Sequence, residues 1–230
     1  MTSLDIYKQQ AAEHALQYVQ SGMAIGLGSG TTAHFVTQGL GERLRDGRLR
    51  EVIGVPTSEA TAKLARDLGI PLATLEERPL LDLAIDGADE VDPALNLIKG
   101  LGGALLREKI VASSAQHFVV VVDETKIVEQ LGTHAPLPIE VIAFGLPLCQ
   151  RRLAELGGIP ELRRTADGSP YRTDEGNVIL DCTFHPIVDA PALSAALNAI
   201  PSVVEHGLFI GMANIVLVAG PGGVATMMRP

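Results

Sequence analysis

The chain has 230 residues, 47% hydrophobic and 20% charged, a composition that excludes a disordered polymer and suffices for one large α/β domain or one with a small companion. Twenty-seven acidic against eighteen basic residues leave a formal charge of −9, and aromatics are only 3%, which argues against a broad nucleic-acid-binding face. No continuous apolar stretch, that around 118–122 included, is more than strand-sized, far short of the roughly 18 residues of a membrane span.

The chain starts Met1-Thr2-Ser3-Leu4-Asp5, without the basic and apolar segments of a secretory signal, so the expected compartment is the cytoplasm. Ser3 or Asp5 can begin a helix over 4–20, with Ala12, Ala15, Leu16 and Val19 on one face. Apolar runs bounded by turn residues follow at 23–28, 52–57, 70–75, 81–86 and 118–123, and each predicts a strand. Helical patterns lie between them at 32–40, at 58–68 with Gly69 as its stop, and at 103–115. Strand and helix in alternation predict a doubly wound, Rossmann-like parallel sheet of the α/β class. Phe118-Val119-Val120-Val121-Val122 is apolar throughout, as a strand covered on both faces must be.

From about residue 134 the rhythm changes to a strand at 137–144, a helix at 146–156, strands at 159–165 and 178–184, a helix at 190–199 and a strand at 202–206. That β-α-β-β-α-β order predicts a ferredoxin-like α+β domain over 134–206, inserted in a catalytic domain of 1–133 plus 207–230. The run at 215–219 returns the chain to the first domain. Cys149 and Cys182 have no ligand-like spacing and read as core thiols.

Four segments can carry chemistry. Gly26-Leu27-Gly28-Ser29-Gly30-Thr31-Thr32 joins the first strand to its helix, where free N–H groups and hydroxyls can hold an anion; a tight, ordinarily capped turn is the alternative. Thr31 stands where a dinucleotide fingerprint needs its third glycine, and no P-loop lysine follows. Asp86-Gly87-Ala88-Asp89-Glu90-Val91-Asp92 puts four acids at a strand's carboxyl end. They can be solvated, hold a metal such as magnesium, or be constrained for proton handling; the spacing is not that of a calcium loop.

Lys99-Gly100-Leu101-Gly102-Gly103 leads into a helix on which Glu108 falls within the arc of Ala104, Val111, Ala112 and Ala115, flanked by Arg107 and Lys109. Desolvation on such an arc would push a carboxyl toward the range useful to a general base, whereas an ion-paired surface glutamate is the alternative. Asp123-Glu124-Thr125-Lys126 delivers a lysine to the end of the most apolar strand. The six histidines form no HExxH-like cluster, and no nucleophile elbow is present.

Taken together, GLGSGTTA at 26–33, DGADEVD at 86–92, KGLGGALLREK at 99–109 and DETK at 123–126 resemble the A-type ribose-5-phosphate isomerases, and PLPIEV at 136–141 and GNVILD at 176–181 extend the resemblance over nearly the whole chain. The resemblance implies interconversion of D-ribose 5-phosphate and D-ribulose 5-phosphate through an enediolate, a reaction of the non-oxidative pentose phosphate pathway, with no metal, nucleotide or other cofactor. It implies Glu108 as the base, Asp86 and Asp89 as residues that move or orient protons and help open the furanose, and Lys99 as the stabiliser of the developing oxyanion. Ser29, Gly30, Thr31, Thr32 and Lys126 would hold the phosphate, with Lys8 a further contributor, and Gly87, Ala88, Gly100, Leu101 and Gly102 would line the substrate. It also implies a homodimer or homotetramer, with neither nucleic acid nor membrane as partner.

Leu101, Ser29 and Asn214 depart from the family's usual glycine, threonine and aspartate. Two rival readings are a nucleotide- or acyl-CoA-dependent enzyme, which lacks its third glycine here, and a non-catalytic sugar-phosphate sensor, which has no need of Glu108 or Asp86.

Overall fold

The computed structural model describes residues 2–229. It begins with α1 (Ser3–Ala15), β1 (Ala24–Leu27), α2 (Thr31–Arg45), β2 (Ile53–Pro56), α3 (Glu59–Asp67) and β3 (Leu81–Asp86). Two short strands, β4 (Glu90–Val91) and β5 (Leu97–Ile98), precede α4 (Leu105–Ser113) and β6 (Ala115–Asp123). The following stretch holds β7 (Leu137–Val141), α5 (Leu146–Glu155), β8 (Ile159–Leu162), β9 (Val178–Thr183), α6 (Ala190–Asn198), β10 (Val203–His206) and β11 (Leu208–Phe209). The chain closes with β12 (Ile215–Gly220) and β13 (Gly223–Met228).

The chain divides into two compact units, the first built from residues up to 88, 107–127 and from 212 onward. Its sheet runs β2-β1-β3-β6-β12-β13, with the first five strands parallel and β13 antiparallel at the edge. The doubly wound class is therefore observed. The strand order reverses at β1 and β3: β1 leads outward to β2, and the chain then returns to lay β3 on the other side of β1. In such sheets ligands bind outside the carboxyl ends at that reversal. The parallel sheet is covered as its composition demands, with Val119, Val120 and Val121 wholly buried.

Element bounds differ from expectation where side-chain chemistry intervenes. Thr2 caps α1 in a reciprocal box with Asp5, and the helix stops at Ala15 rather than residue 20. Leu16 and Val19 still reach the core, but from turns that precede Gly22. Gly41 does not end α2, which runs on to a cap at Asp46. The strand expected at 70–75 is absent: Leu72 makes an isolated parallel bridge with Gly54, and Pro71 has a carbonyl for Gly54 N–H but no N–H to return. The helix expected over 103–115 ends at Ser113, and Ala115 already pairs with Leu81 as the start of β6.

The second unit comprises residues 89–106 and 128–211, wider than the 134–206 expected. Its main sheet, β10-β7-β9-β8, is antiparallel throughout, the order of a ferredoxin-like unit. Ile139, Val141, Leu153, Leu180 and Leu197 form its core together with Cys149 and Cys182, both free and buried as expected of core thiols. Burial pushes the Cys182 thiol up to about 12, which keeps it inert at neutral pH. A smaller sheet, β11-β5-β4, accounts for the extra residues. Its two-residue strands are too short to show any periodicity.

Glu140 explains why PLPIEV and GNVILD belong together: the buried carboxylate on β7 accepts hydrogen bonds from the Thr173 hydroxyl at 2.8 Å and the Asn177 side-chain amide at 2.9 Å. Burial raises the Glu140 carboxyl above the usual carboxylate range, against the lowering by Asn177 and Thr173. A carboxyl raised in the fold contributes stability that is full below its unfolded pKa and lost as pH climbs through its folded one. Glu140→Gln retains an acceptor for both partners without the charge. The variant is expected to keep its melting temperature across that pH window while the parent declines, and parallel decline of the two proteins would contradict the assignment.

Candidate active site

In the first unit the carboxyl ends of β1 and β3 are locked together. Gly28 N–H donates to the Ile85 carbonyl at 3.0 Å, and Asp86 Oδ1 accepts from Ser29 N–H at 3.0 Å and Gly87 N–H at 2.7 Å. A Cβ on Gly28 would lie 2.2 Å from Asp86 Oδ1 and 2.6 Å from its Cα, so only glycine permits this approach. Asp86 is 3% exposed, with the two N–H groups replacing water around its charge.

Glu108 lies in the first turn of α4 and is 5% exposed, in agreement with its expected place on an apolar arc. It lines a closed gap, too small for a water molecule, with Asp86, Gly28, Thr57, Val111 and Phe118. Gly26, read in the sequence as part of an anion loop, makes this gap by packing: a Cβ there would strike Val111 Cγ1 at 2.4 Å. Arg107 points elsewhere and pairs with Glu59 at 2.8 Å.

The glycine-serine turn is organised differently from expectation. The Ser29 hydroxyl lies 2.8 Å from that of Thr57, 2.7 Å from Ser58 and 3.1 Å from Thr61, while the Thr61 hydroxyl donates to the Gly28 carbonyl at 3.0 Å. One hydroxyl has one donor and two acceptor sites, so Ser29 is saturated, and its N–H already serves Asp86. Ser29 therefore builds the turn rather than offering its polar groups to an anion. Thr57, Ser58 and Thr61, which sequence reasoning missed, are its partners; the Ser58 capping position before α3 was their only local signal.

The part of the turn with a geometry suited to an anion is the start of α2. Gly30, at φ +94°, caps the helix without any side-chain hydrogen bond, the first turn holds no acid, and Thr31 is exposed. Its leading N–H groups and positive dipole end are the features that attract phosphate. Thr32 sits beside Gly87, 4.0 Å from where a Cβ on that glycine would lie. Lys126 is half-buried in a short 3-10 turn after β6, at the same carboxyl edge of the sheet, and Asp123 caps that turn through Thr125. Lys8, half-buried on α1, is near the Asp5 carboxylate, which its Thr2 hydrogen bonds chiefly and the Lys8 charge further hold below the usual range. No hydrogen bond among the described residues ties Lys8 to the glycine-serine turn.

The second unit carries the remaining candidates. Asp89 N–H donates to the Ile98 carbonyl at 2.8 Å, and Asp89 Oδ2 accepts from Leu101 N–H at 3.0 Å. Lys99 is 2% exposed; its N–H donates to the Gly207 carbonyl at 2.9 Å and its Nζ lies 5.4 Å from the centroid of the buried Phe209 ring. The turn at 100–103 closes through Gly103 N–H on the Gly100 carbonyl at 2.9 Å, with Leu101 42% exposed. Leu101 thus takes its side chain outward without blocking the turn.

The acidic run separates into unlike roles. Glu90 is 1% exposed and accepts from the N–H groups of Gly132, His134 and Ala135 at 2.6, 2.5 and 2.7 Å, a structural clasp within the second unit. Asp92 binds Asn96 through backbone and side chain at 2.8 and 3.0 Å and shapes the β4–β5 turn. Asn214 likewise has a structural task, its Oδ1 accepting from Phe118 N–H at 2.7 Å to seat β12 beside β6.

Residues 53–223 match the family model of ribose 5-phosphate isomerase A (phosphoriboisomerase A). A curated ribose-5-phosphate isomerase A from Roseiflexus sp. (strain RS-1) is 62% identical over 226 residues, 98% of this chain and 97% of the relative. Among solved structures, a ribose 5-phosphate isomerase A from Methanocaldococcus jannaschii is 42% identical with a TM-score of 0.94, covering 98% of this chain and 99% of that one. A D-ribose-5-phosphate isomerase in complex with phospho-erythronic acid is 41% identical with a TM-score of 0.97, covering 99% and 100%. Buried Asp86 and Glu108 at the strand-order reversal and the match over most of the sequence agree: the chain belongs to the ribose 5-phosphate isomerase A family.

Proposed function

We infer that this protein interconverts D-ribose 5-phosphate and D-ribulose 5-phosphate by proton transfer, with Glu108 as the base. The observation that carries the assignment is the pair of buried carboxylates, Asp86 and Glu108, brought to one small gap beside the carboxyl ends of β1 and β3. Glu108 removes the C2 proton of the open-chain aldose, and the electrons form an enediolate. Return of that proton to C1, with the O2 proton passed to O1, gives the ketose. Asp86, its position fixed by two N–H groups, and Asp89, fixed by one, orient or transfer protons at the ring and hydroxyl oxygens during furanose opening. Lys99 offsets the charge that builds on oxygen.

The phosphate is held by the N–H groups of Gly30, Thr31 and Thr32, the threonine hydroxyls and the Lys126 ammonium, with Ser29 acting through the backbone it braces. Remote binding of the phosphate orients C2 against the base, so substrates without it should lose rate as well as affinity. Gly87, Ala88, Gly100, Leu101 and Gly102 border the sugar. The chain acts as a homodimer or homotetramer in the cytoplasm.

Isomerase assay of the purified protein on ribose 5-phosphate in excess chelator tests this directly: turnover is expected, and its absence, or its recovery only with added magnesium, would overturn the metal-free mechanism. Gly102 supplies a second test. A Cβ added there meets nothing within 4 Å and its φ is not positive, so Gly102→Ala should fold with unchanged or slightly raised melting temperature. If sugar approaches that backbone, KM for ribose 5-phosphate rises several-fold in the same variant. An unchanged KM removes Gly102 from the substrate's border.

A further inference from the structure

GNVILD ends on Asp181, a residue that the reaction as derived above does not use. Its carboxylate grips Arg163 in a fork, with Nε donating to Oδ2 at 2.8 Å and Nη2 donating to Oδ1. The pair is largely withdrawn from water, the Arg163 side chain being 13% exposed and Asp181 24%. The remaining guanidinium nitrogen, Nη1, donates to two successive carbonyls of the glycine-rich turn, Gly100 at 3.1 Å and Leu101 at 3.0 Å. Tyr171 completes the brace: its ring centroid lies 5.7 Å from Arg163 Cζ, and its hydroxyl occupies the space a Cβ on Gly103 would need, at 2.3 Å.

The consequence follows from peptide planarity. The Gly100 carbonyl and the Leu101 N–H belong to one trans peptide unit and point in opposite directions. Arg163 on the carbonyl therefore aims the N–H, which donates to Asp89 Oδ2 at 3.0 Å. The next unit repeats the device: with Arg163 on the Leu101 carbonyl, the Gly102 N–H is turned away from the guanidinium, at the glycine whose Cβ space is open.

We propose that Arg163, held by Asp181, is a positioning residue for the reaction, orienting the peptide planes at 100–102 so that one N–H secures Asp89 and the next faces the reacting oxygens. This rests on the reading of Asp89 and the 100–102 turn as part of the isomerase site. Planar, doubly forked donation is what the role needs, and a lysine cannot supply it. The pair's mutual neutralisation means that it acts on geometry and not by adding charge.

The test compares Arg163→Met, Arg163→Lys and the near-isosteric Asp181→Asn in the full-length protein, with three readouts. For the methionine and asparagine variants kcat/KM for ribose 5-phosphate should fall roughly 10- to 100-fold, the scale of loss when reacting groups drift by about an ångström. Inhibition by phospho-erythronic acid, which carries a carboxylate where the enediolate carries its oxygens, should weaken by a similar factor, while inhibition by inorganic phosphate stays as in the parent. Melting temperature should move by only a few degrees, and Arg163→Lys should recover little of the loss. Parental kcat/KM in Arg163→Met and Asp181→Asn overturns the proposal, as does equal weakening of phosphate and phospho-erythronic acid, the mark of general loosening. Full rescue by lysine also overturns it, since a point charge would then suffice. Calorimetric binding of phospho-erythronic acid needs no turnover: if the parent binds but does not isomerise, the reaction assignment fails while the brace is still judged by binding, and if it does neither, both fall.

Discussion

Glu108→Gln is expected to lower kcat for ribose 5-phosphate by at least about 10²-fold, the lower bound of what a positioned general base contributes. Glutamine preserves the length and shape of the side chain in its gap against Val111 and Phe118, but it cannot accept the C2 proton. The phosphate contacts assigned to Gly30, Thr31, Thr32 and Lys126 involve other residues, so binding of ribose 5-phosphate should persist, measurable by calorimetry on the inactive variant. Exchange of the C2 hydrogen with deuterated solvent should slow in step with turnover. If the variant turns over near the parental rate, the base is another group and the buried position of Glu108 needs a different explanation.

Glu90→Ala should cost about 3–5 kcal/mol of stability, because it strands three buried or half-buried N–H groups that now share one carboxylate. The bonds from Gly132, His134 and Ala135 run 2.5–2.7 Å, and Glu90 is 1% exposed, so water cannot readily replace the lost acceptor. Urea-induced unfolding followed by circular dichroism would register the loss as a lowered midpoint. Asp92→Ala, which releases a more exposed turn, should cost much less. A change of under about 1 kcal/mol for Glu90→Ala would show that the 132–135 loop is satisfied by solvent and that the clasp is dispensable.

These two acids show where reading the sequence succeeds and where it stops. The burial of Glu108 was legible because helical spacing sets its carboxylate on the same face as alanines and a valine. Glu90 sits in a run of acids whose members look alike in one dimension. Only the fold assigns Asp86 to two N–H groups at the end of β3, Glu90 to the 132–135 loop and Asp92 to a turn. Ser29 shows the same gap: its place in a glycine turn suggested an anion ligand, and the fold adds hydroxyl contacts with Thr57, Ser58 and Thr61, residues about thirty positions on that carry no local sign of the contact.

By itself the sequence determined the class of the fold and its principal strands, since alternating apolar runs and helical periodicity are local properties set by burial on one or two faces. The order and spacing of its motifs, which are covalent, also sufficed for a resemblance to the A-type ribose-5-phosphate isomerases, and that resemblance implied a sugar phosphate enzyme. Tertiary structure alone decided the strand order that makes β1 and β3 neighbours, the second unit's claim on residues 89–106, and which polar group answers which. Hydrogen bonds between distant segments depend on angles and distances that no residue encodes alone, and Arg163, silent in the sequence, acquires its meaning only when Asp181 and the Gly100 and Leu101 carbonyls converge on it.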